Sequence, residues 1–204
     1  MNLFKTPRYL HWMYPRRTWG FSLPKNAVFL TFDDGPNPIL TPWILDLLQE
    51  KGIKATFFCV GNNILTYPAL FERIKAEGHQ VANHTMQHEK GTKTPWKAYR
   101  QSILETENLV ENKLFRPPYG RLSMHLSAKL AKEYKIIMWS WLSYDFDTRV
   151  SIDKILSNAR KQIRSGQILV LHDNDRFEAR VKELLPQLLA VIQEKNLEFE
   201  LISS

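Results

Sequence analysis

Short apolar runs alternate along the chain with longer segments whose apolar residues recur at helical spacing. The runs "AVFLTF" (27–32), "ATFFCV" (55–60), "QVAN" (80–83), "LFRP" (114–117), "KIIMWSW" (135–141), "QILVLH" (167–172) and "EFELI" (198–202) read as strands. Between them, "TPWILDLLQEKG" predicts a helix with Thr41 as N-cap, Pro42 at the first helical position and Gly52 beyond its end. "TPWKAYRQSILETENLVEN" repeats that start with Thr94 and Pro95. Further helices are predicted near 68–77, 123–133, 151–164 and 178–194, with Pro186 kinking or interrupting the last. Alternation of this kind predicts an α/β fold whose sheet is largely parallel. A closed or nearly closed β/α barrel of about seven parallel strands fits, and so does an open doubly wound sheet.

Nothing in the pattern marks a linker. The 204 residues read as one domain over 26–204, preceded by an arm over 1–25. That arm changes the charge picture. The net charge is +7, and Lys5, Arg8, Arg16, Arg17 and Lys25 fall in the arm with no acid among them. Phe4, Tyr9, Trp12, Tyr14, Trp19 and Phe21 interleave with these cations. Such a mixture could touch a membrane surface or a polyanion. The plainer expectation is that the aromatics pack on the domain while the cations stay in water. No module for nucleic acid accompanies the charge, so no nucleic-acid partner is expected. His11 and "PRR" break any apolar run of signal-peptide length, and no run nears the ~18 residues of a membrane span. A cytoplasmic location is the default expectation. The single cysteine, Cys59, excludes an intramolecular disulfide framework and reads as a small buried hydrophobe within "ATFFCVG".

The reactive residue types fall at particular places. Asp33 and Asp34 end the first strand in "TFDDGP", and His84 and His88 follow the third in "NHTMQH". On one helical turn, that spacing of four would put two imidazoles on one face, able to share a metal ion. Arg116 and Tyr119 stand in "FRPPYG", Asp145 in "WLSYDFD" and His172 in "ILVLHDN". Each group lies at the C-terminal end of a predicted strand or just beyond it, and in parallel β/α folds those ends share one face. One carboxylate and two imidazoles suffice for a divalent site that lowers the pKa of water toward ~7 and polarises a carbonyl. A second carboxylate and a further histidine are then available as base and acid, which is the inventory for metal-assisted hydrolysis of an amide or ester.

"TFDDGP", "HTMQH", "RPPY", "DF" at Asp145-Phe146 and "VLH" resemble, in order and spacing, the five motifs of the polysaccharide deacetylases (carbohydrate esterase family 4, the chitooligosaccharide deacetylase homology domain). The resemblance runs over about 26–204. It implies a distorted (β/α) barrel, an acetylated glycan as substrate and one divalent metal, usually zinc, with Co2+, Mn2+ or Ni2+ as alternatives. By motif, Asp34, His84 and His88 would hold the metal and Asp33 would be the base, oriented by Arg116. The Tyr119 N–H would join the metal at the oxyanion, and Asp145 would hold His172 as the acid. The chain departs from the pattern at Phe146, where a Trp is usual, at Val170, where Leu is common, and in lacking an acid earlier in "WSWLSYDF". Two alternatives remain open: the same hydrolysis on an O-acetyl ester or non-sugar amide, and a non-catalytic binding protein.

Overall fold

The fold, seen in a computed structural model, is described for residues 4–22 and 26–203, so residues 1–3, 23–25 (Lys25 of the arm among them) and 204 lie outside it. The elements in chain order are α1 (Arg8–Met13), β1 (Arg17–Thr18), β2 (Ala27–Asp33), α2 (Leu40–Glu50), β3 (Thr56–Cys59), α3 (Gly61–Thr66), α4 (Pro68–Ala76), β4 (Gln80–Asn83), α5 (Trp96–Val110), β5 (Leu114–Phe115), α6 (Met124–Leu130), β6 (Lys135–Ile137), β7 (Trp141–Leu142), α7 (Ile152–Gln162), β8 (Ile168–His172), α8 (Glu178–Glu194) and β9 (Glu198–Phe199). The sheet runs β1-β6-β5-β4-β3-β2-β8-β7, with β9 added beside the start of β2. Every ladder is parallel.

Strand alternation sorts side chains into two layers. Outward residues of β2, β3 and β8 (Val28, Leu30, Phe32, Phe57, Cys59, Leu169, Leu171) join the leucines and isoleucines of α2, α7 and α8 in one core. Phe115 and Ile136 pack with Tyr99, Ile103 and Leu126 of α5 and α6 in a second. Inward residues, Phe29, Phe58, Ala82, Leu114, Ile137 and Ile168, fill the barrel itself. Continuing the inward parity along each chain segment reaches Asp33, His84, Arg116 and His172. Burial on both faces explains why β2 is apolar apart from Thr31 and the terminal Asp33.

Several expectations are corrected. The predicted strand 135–141 is two strands. Its first part pairs with β5 and β1, whereas Trp141–Leu142 pairs with β8 at the other edge of the sheet. Arm residues seal the junction: Thr6 N–H donates to Ser140 O at 3.0 Å and Leu142 N–H to Phe4 O at 2.8 Å. The arm also supplies β1, unread in the sequence because two residues show no period. Thr41 is not an N-cap. Helix α2 starts two residues earlier, at Leu40, Asn37 Oδ1 accepts from the N–H groups of Ile39 and Leu40, and Thr41 turns inward instead. Thr94 caps nothing either, because its hydroxyl donates to Lys90 O and Pro95 takes the cap position. Gly52 does follow α2 with φ +64°, the left-handed conformation glycine tolerates. Pro186 does not interrupt α8, since Leu184, Leu185, Leu188 and Leu189 anchor both sides of it in the core. Among the described residues, no helix is long and apolar enough to cross a membrane.

Candidate active site

The β2 strand delivers Asp33 into the barrel mouth with its side chain buried. Its Oδ1 accepts from Arg116 Nη1 at 2.5 Å. Arg116, at 0% exposure, is itself fixed by four further contacts. It donates to Thr31 Oγ1, Ile137 O and Met138 O, and its guanidinium lies 3.9 Å from the centre of the Phe58 ring. Burial lowers the guanidinium pKa, and Asp33 offsets only part of that fall. A buried carboxylate without such a partner would be strongly destabilising, so this pair explains how the first acid is tolerated.

Asp34 turns the other way. With φ 81° it leaves the strand, its backbone O accepting from Asn63 Nδ2 at 2.7 Å. Its Oδ1 lies 3.1 Å from His88 Nε2 and 3.7 Å from His84 Nε2, while Oδ2 accepts from Asn174 Nδ2 at 3.2 Å. Burial alone would raise its pKa. His88, His172 and His84 outweigh that and hold the carboxyl well below the usual carboxylate range.

The two histidines are not on a helical turn. Residues 84–88 form a loop in which Thr85 and His88 have φ 67° and 58°. The loop is pinned where Thr85 N–H donates to Asn83 Oδ1 and Met86 N–H to Ser102 Oγ. His84 Nδ1–H donates to Arg116 O at 2.8 Å, which leaves the Nε2 lone pair facing Asp34. Burial lowers the His84 pKa to about 4, so its imidazole is neutral, as a metal ligand must be. Donor atoms of Asp34, His84 and His88 all lie within 4.8 Å of one another. One carboxylate O and two imidazole N atoms, one tautomer already fixed, fit a borderline divalent cation such as zinc.

Across the mouth, His172 Nδ1–H donates to Asp145 Oδ1 at 2.8 Å and its backbone N–H to Asp145 Oδ2 at 2.6 Å. Asp145 is completely buried. Although burial would lower the imidazole pKa, Asp145 and then Asp34 and Asp33 raise it to about 9. Phe146 stands edge-on to the His172 ring at 5.2 Å, an apolar wall where an indole would have offered an N–H. Tyr119 sits at the rim with φ 59°, its ring 4.6 Å from that of His88. Asp34, Thr85, His88, Tyr119 and Tyr144 are all non-glycine residues with positive φ on loops around this one face. Each such conformation costs about 1–3 kcal/mol and persists only because the surroundings enforce it.

Asp33, Asp34, His84, His88, Arg116, Tyr119, Asp145 and His172 thus stand at one mouth. Others were missed. Asp173 is buried behind the Asp33-Asp34 turn, its Oδ2 accepting from Thr41 Oγ1 at 2.5 Å and Oδ1 from Asn37 Nδ2 at 3.0 Å. Its N–H donates to Asp33 O at 2.7 Å. Burial raises its pKa to about 7. Asn63 and Asn174, which fix Asp34, were also missed. The signal for Asp173 and Asn174 was their place directly after His172 in "HDN"; nothing in the sequence marks Asn63.

Fold and site together define a β/α-barrel protein with a hydrolase-type constellation of carboxylates, imidazoles and a buried guanidinium. The sequence model of the polysaccharide deacetylase family matches residues 22–138. A peptidoglycan-N-acetylglucosamine deacetylase of Bacillus cereus is 34% identical over 183 residues, covering 84% of this chain and 85% of that protein. A chitooligosaccharide deacetylase of a Bradyrhizobium species is 36% identical over 166 residues, covering 78% and 75%. Among solved structures, a peptidoglycan N-acetylglucosamine deacetylase superposes with a TM-score of 0.81 at 30% identity, over 97% of this chain and 95% of that one. A family 4 carbohydrate esterase from Streptomyces lividans gives 0.78 at 29% identity, over 88% and 94%. The chain belongs to the polysaccharide deacetylase family.

Proposed function

We propose that this protein removes acetyl groups from an N-acetylated glycan, using a divalent metal held by Asp34, His84 and His88. The observation that carries the reading is the pairing of that three-donor set with two proton-transfer groups, each oriented by its own buried partner: Asp33 by Arg116 and His172 by Asp145. The named activities of the relatives support the substrate class. A bound divalent ion supplies Lewis acidity, making water a nucleophile near neutral pH and polarising the acyl carbonyl.

The remaining work falls to the chain. Asp33 accepts the proton of the attacking water, its orientation fixed by Arg116. The Tyr119 N–H donates to the oxyanion of the tetrahedral intermediate, a contact whose loss typically costs about 10²–10³ in rate. His172, protonated through its contact with Asp145, passes its Nε2 proton to the departing sugar amine. Breaking the C–N bond yields acetate and the free amine, and Phe146 screens the imidazole from water on one side.

The test is acetate release by the zinc- or cobalt-loaded protein from chitooligosaccharides and peptidoglycan fragments, with O-acetylated sugars and simple acetamides in parallel. Release from the N-acetylated sugars is expected. Turnover confined to esters or non-sugar amides would contradict the substrate assignment, and no turnover on anything would contradict the hydrolase reading.

A further inference from the structure

Helix α1 contributes no buried residue to the core, yet it is docked by one face. His11 stacks on Trp19 with ring centroids 5.2 Å apart, and Leu10 and Tyr14 pack partly against the core of α5 and α6. The opposite face carries Tyr9, Trp12 and Met13, three and four positions apart and so neighbours on the surface. They are 60%, 85% and 44% exposed. Met124, at the start of α6 and 62% exposed, shares a narrow cleft with Met13. A lone exposed hydrophobe is ordinary, but four adjacent ones that include a nearly bare tryptophan are not.

The border of this patch is cationic. Arg8, next to Tyr9, and Arg16, in the cleft with Met13 and Met124, are exposed beside it, Lys5 is exposed in a groove that Arg8 also lines, and the arm has no acidic residue to offset them. Lys132 joins Arg16 along the adjoining groove, whose only acid, Glu133, is paired with Arg100 at 3.2 Å. We propose that this face docks the protein on an anionic lipid bilayer, with Trp12, Tyr9, Met13 and Met124 entering the headgroup layer and Lys5, Arg8, Arg16 and Lys132 meeting lipid phosphates. Charge complementarity selects this occupant. An uncharged glycan could stack on the rings but has no use for four cations. A partner protein needs a surface of about 800 Å² per side, more than one short helix and a methionine offer. Trp and Tyr, apolar with one polar edge, favour the bilayer interface, and basic residues beside them strengthen binding to anionic lipid.

The experiment is co-sedimentation of the whole chain with phosphatidylcholine vesicles, with and without phosphatidylglycerol, at rising salt. Binding is expected only with phosphatidylglycerol and should fall as salt screens the cations. The variants Y9S/W12S and R8E/R16E should each bind about tenfold or more weakly, while their unfolding midpoints stay those of the parent protein. Three outcomes would overturn the proposal: no binding to phosphatidylglycerol vesicles, binding that both variants retain, or a Trp12-dependent dimer or capture by insoluble acetylated glycan in place of vesicle binding.

Discussion

Asp33 and Asp34 are adjacent in sequence yet their side chains meet different partners, one a buried guanidinium and the other two imidazoles. The substitutions therefore separate. Asp34→Ala is expected to lose bound metal, whereas Asp33→Asn keeps stoichiometric metal and loses about 10²–10⁴ in kcat, read by metal analysis beside acetate release. Equal metal loss in both variants would contradict the division. His172 gives a pH test. Its raised pKa keeps the imidazole charged at neutral pH, so kcat/KM should decline on an alkaline limb near pH 9 rather than near 6.5, its ordinary value. Asp145→Asn removes the leading cause of the rise and should shift that limb toward acid. The same shift makes stability pH-dependent. The folded state holds the proton more tightly than the unfolded chain, so the pair's contribution is complete below about 6.5 and is lost as pH rises through about 9. The difference in unfolding midpoint between parent and D145N should shrink over that window.

At the level of elements, the turn after β2 is built against the end of β8. A Cβ placed on Gly35 would lie 2.2 Å from Asp173 Oδ2, so only glycine fits while that carboxyl is there. Gly35→Ala should destabilise the fold, and Asp173→Ala should cost about 1–3 kcal/mol by stranding the Thr41 hydroxyl proton, Asn37 Nδ2 keeping its bond to the backbone O of residue 173. Combined, they should cost clearly less than their sum, because removing the carboxyl makes room for the methyl; additive unfolding free energies would show that the two segments are not coupled. The same turn shows what a sequence can and cannot disclose. The apolar runs behind β2, β3 and β8 were legible because burial on both faces leaves few polar residues in them. Thr41 was misread because a hydroxyl before Pro looks like a cap, and its actual partner, Asp173, lies 132 positions away. The His84–His88 spacing suggested a helical turn, but left-handed residues and side-chain pins make a loop that brings the two rings within 5.1 Å of each other. Segment 135–141 reads as one strand because all but Lys135 and Ser140 are apolar, whereas its pairing changes from one side of the sheet to the other.

Over the whole molecule, inward parity turns that strand pattern into a site. The apolar side chains that fill the barrel give way at one end to Asp33, His84, Arg116 and His172, a transition visible in sequence as reactive residues at strand ends. The supporting residues were less legible. Asn63, Asn174 and Asp173 act through distant partners, and their residue types are common in any loop. Whether the assembled mouth needs a metal is the central claim, and titration decides it most directly. The protein is stripped with a chelator, zinc is added back in sub-stoichiometric steps, and acetate release from chitooligosaccharide is measured at each step. Negligible release without metal, then a linear rise that breaks at one equivalent and is absent in D34A, is the predicted result. Full release by the stripped protein, or a rise with zinc that D34A reproduces, would contradict it.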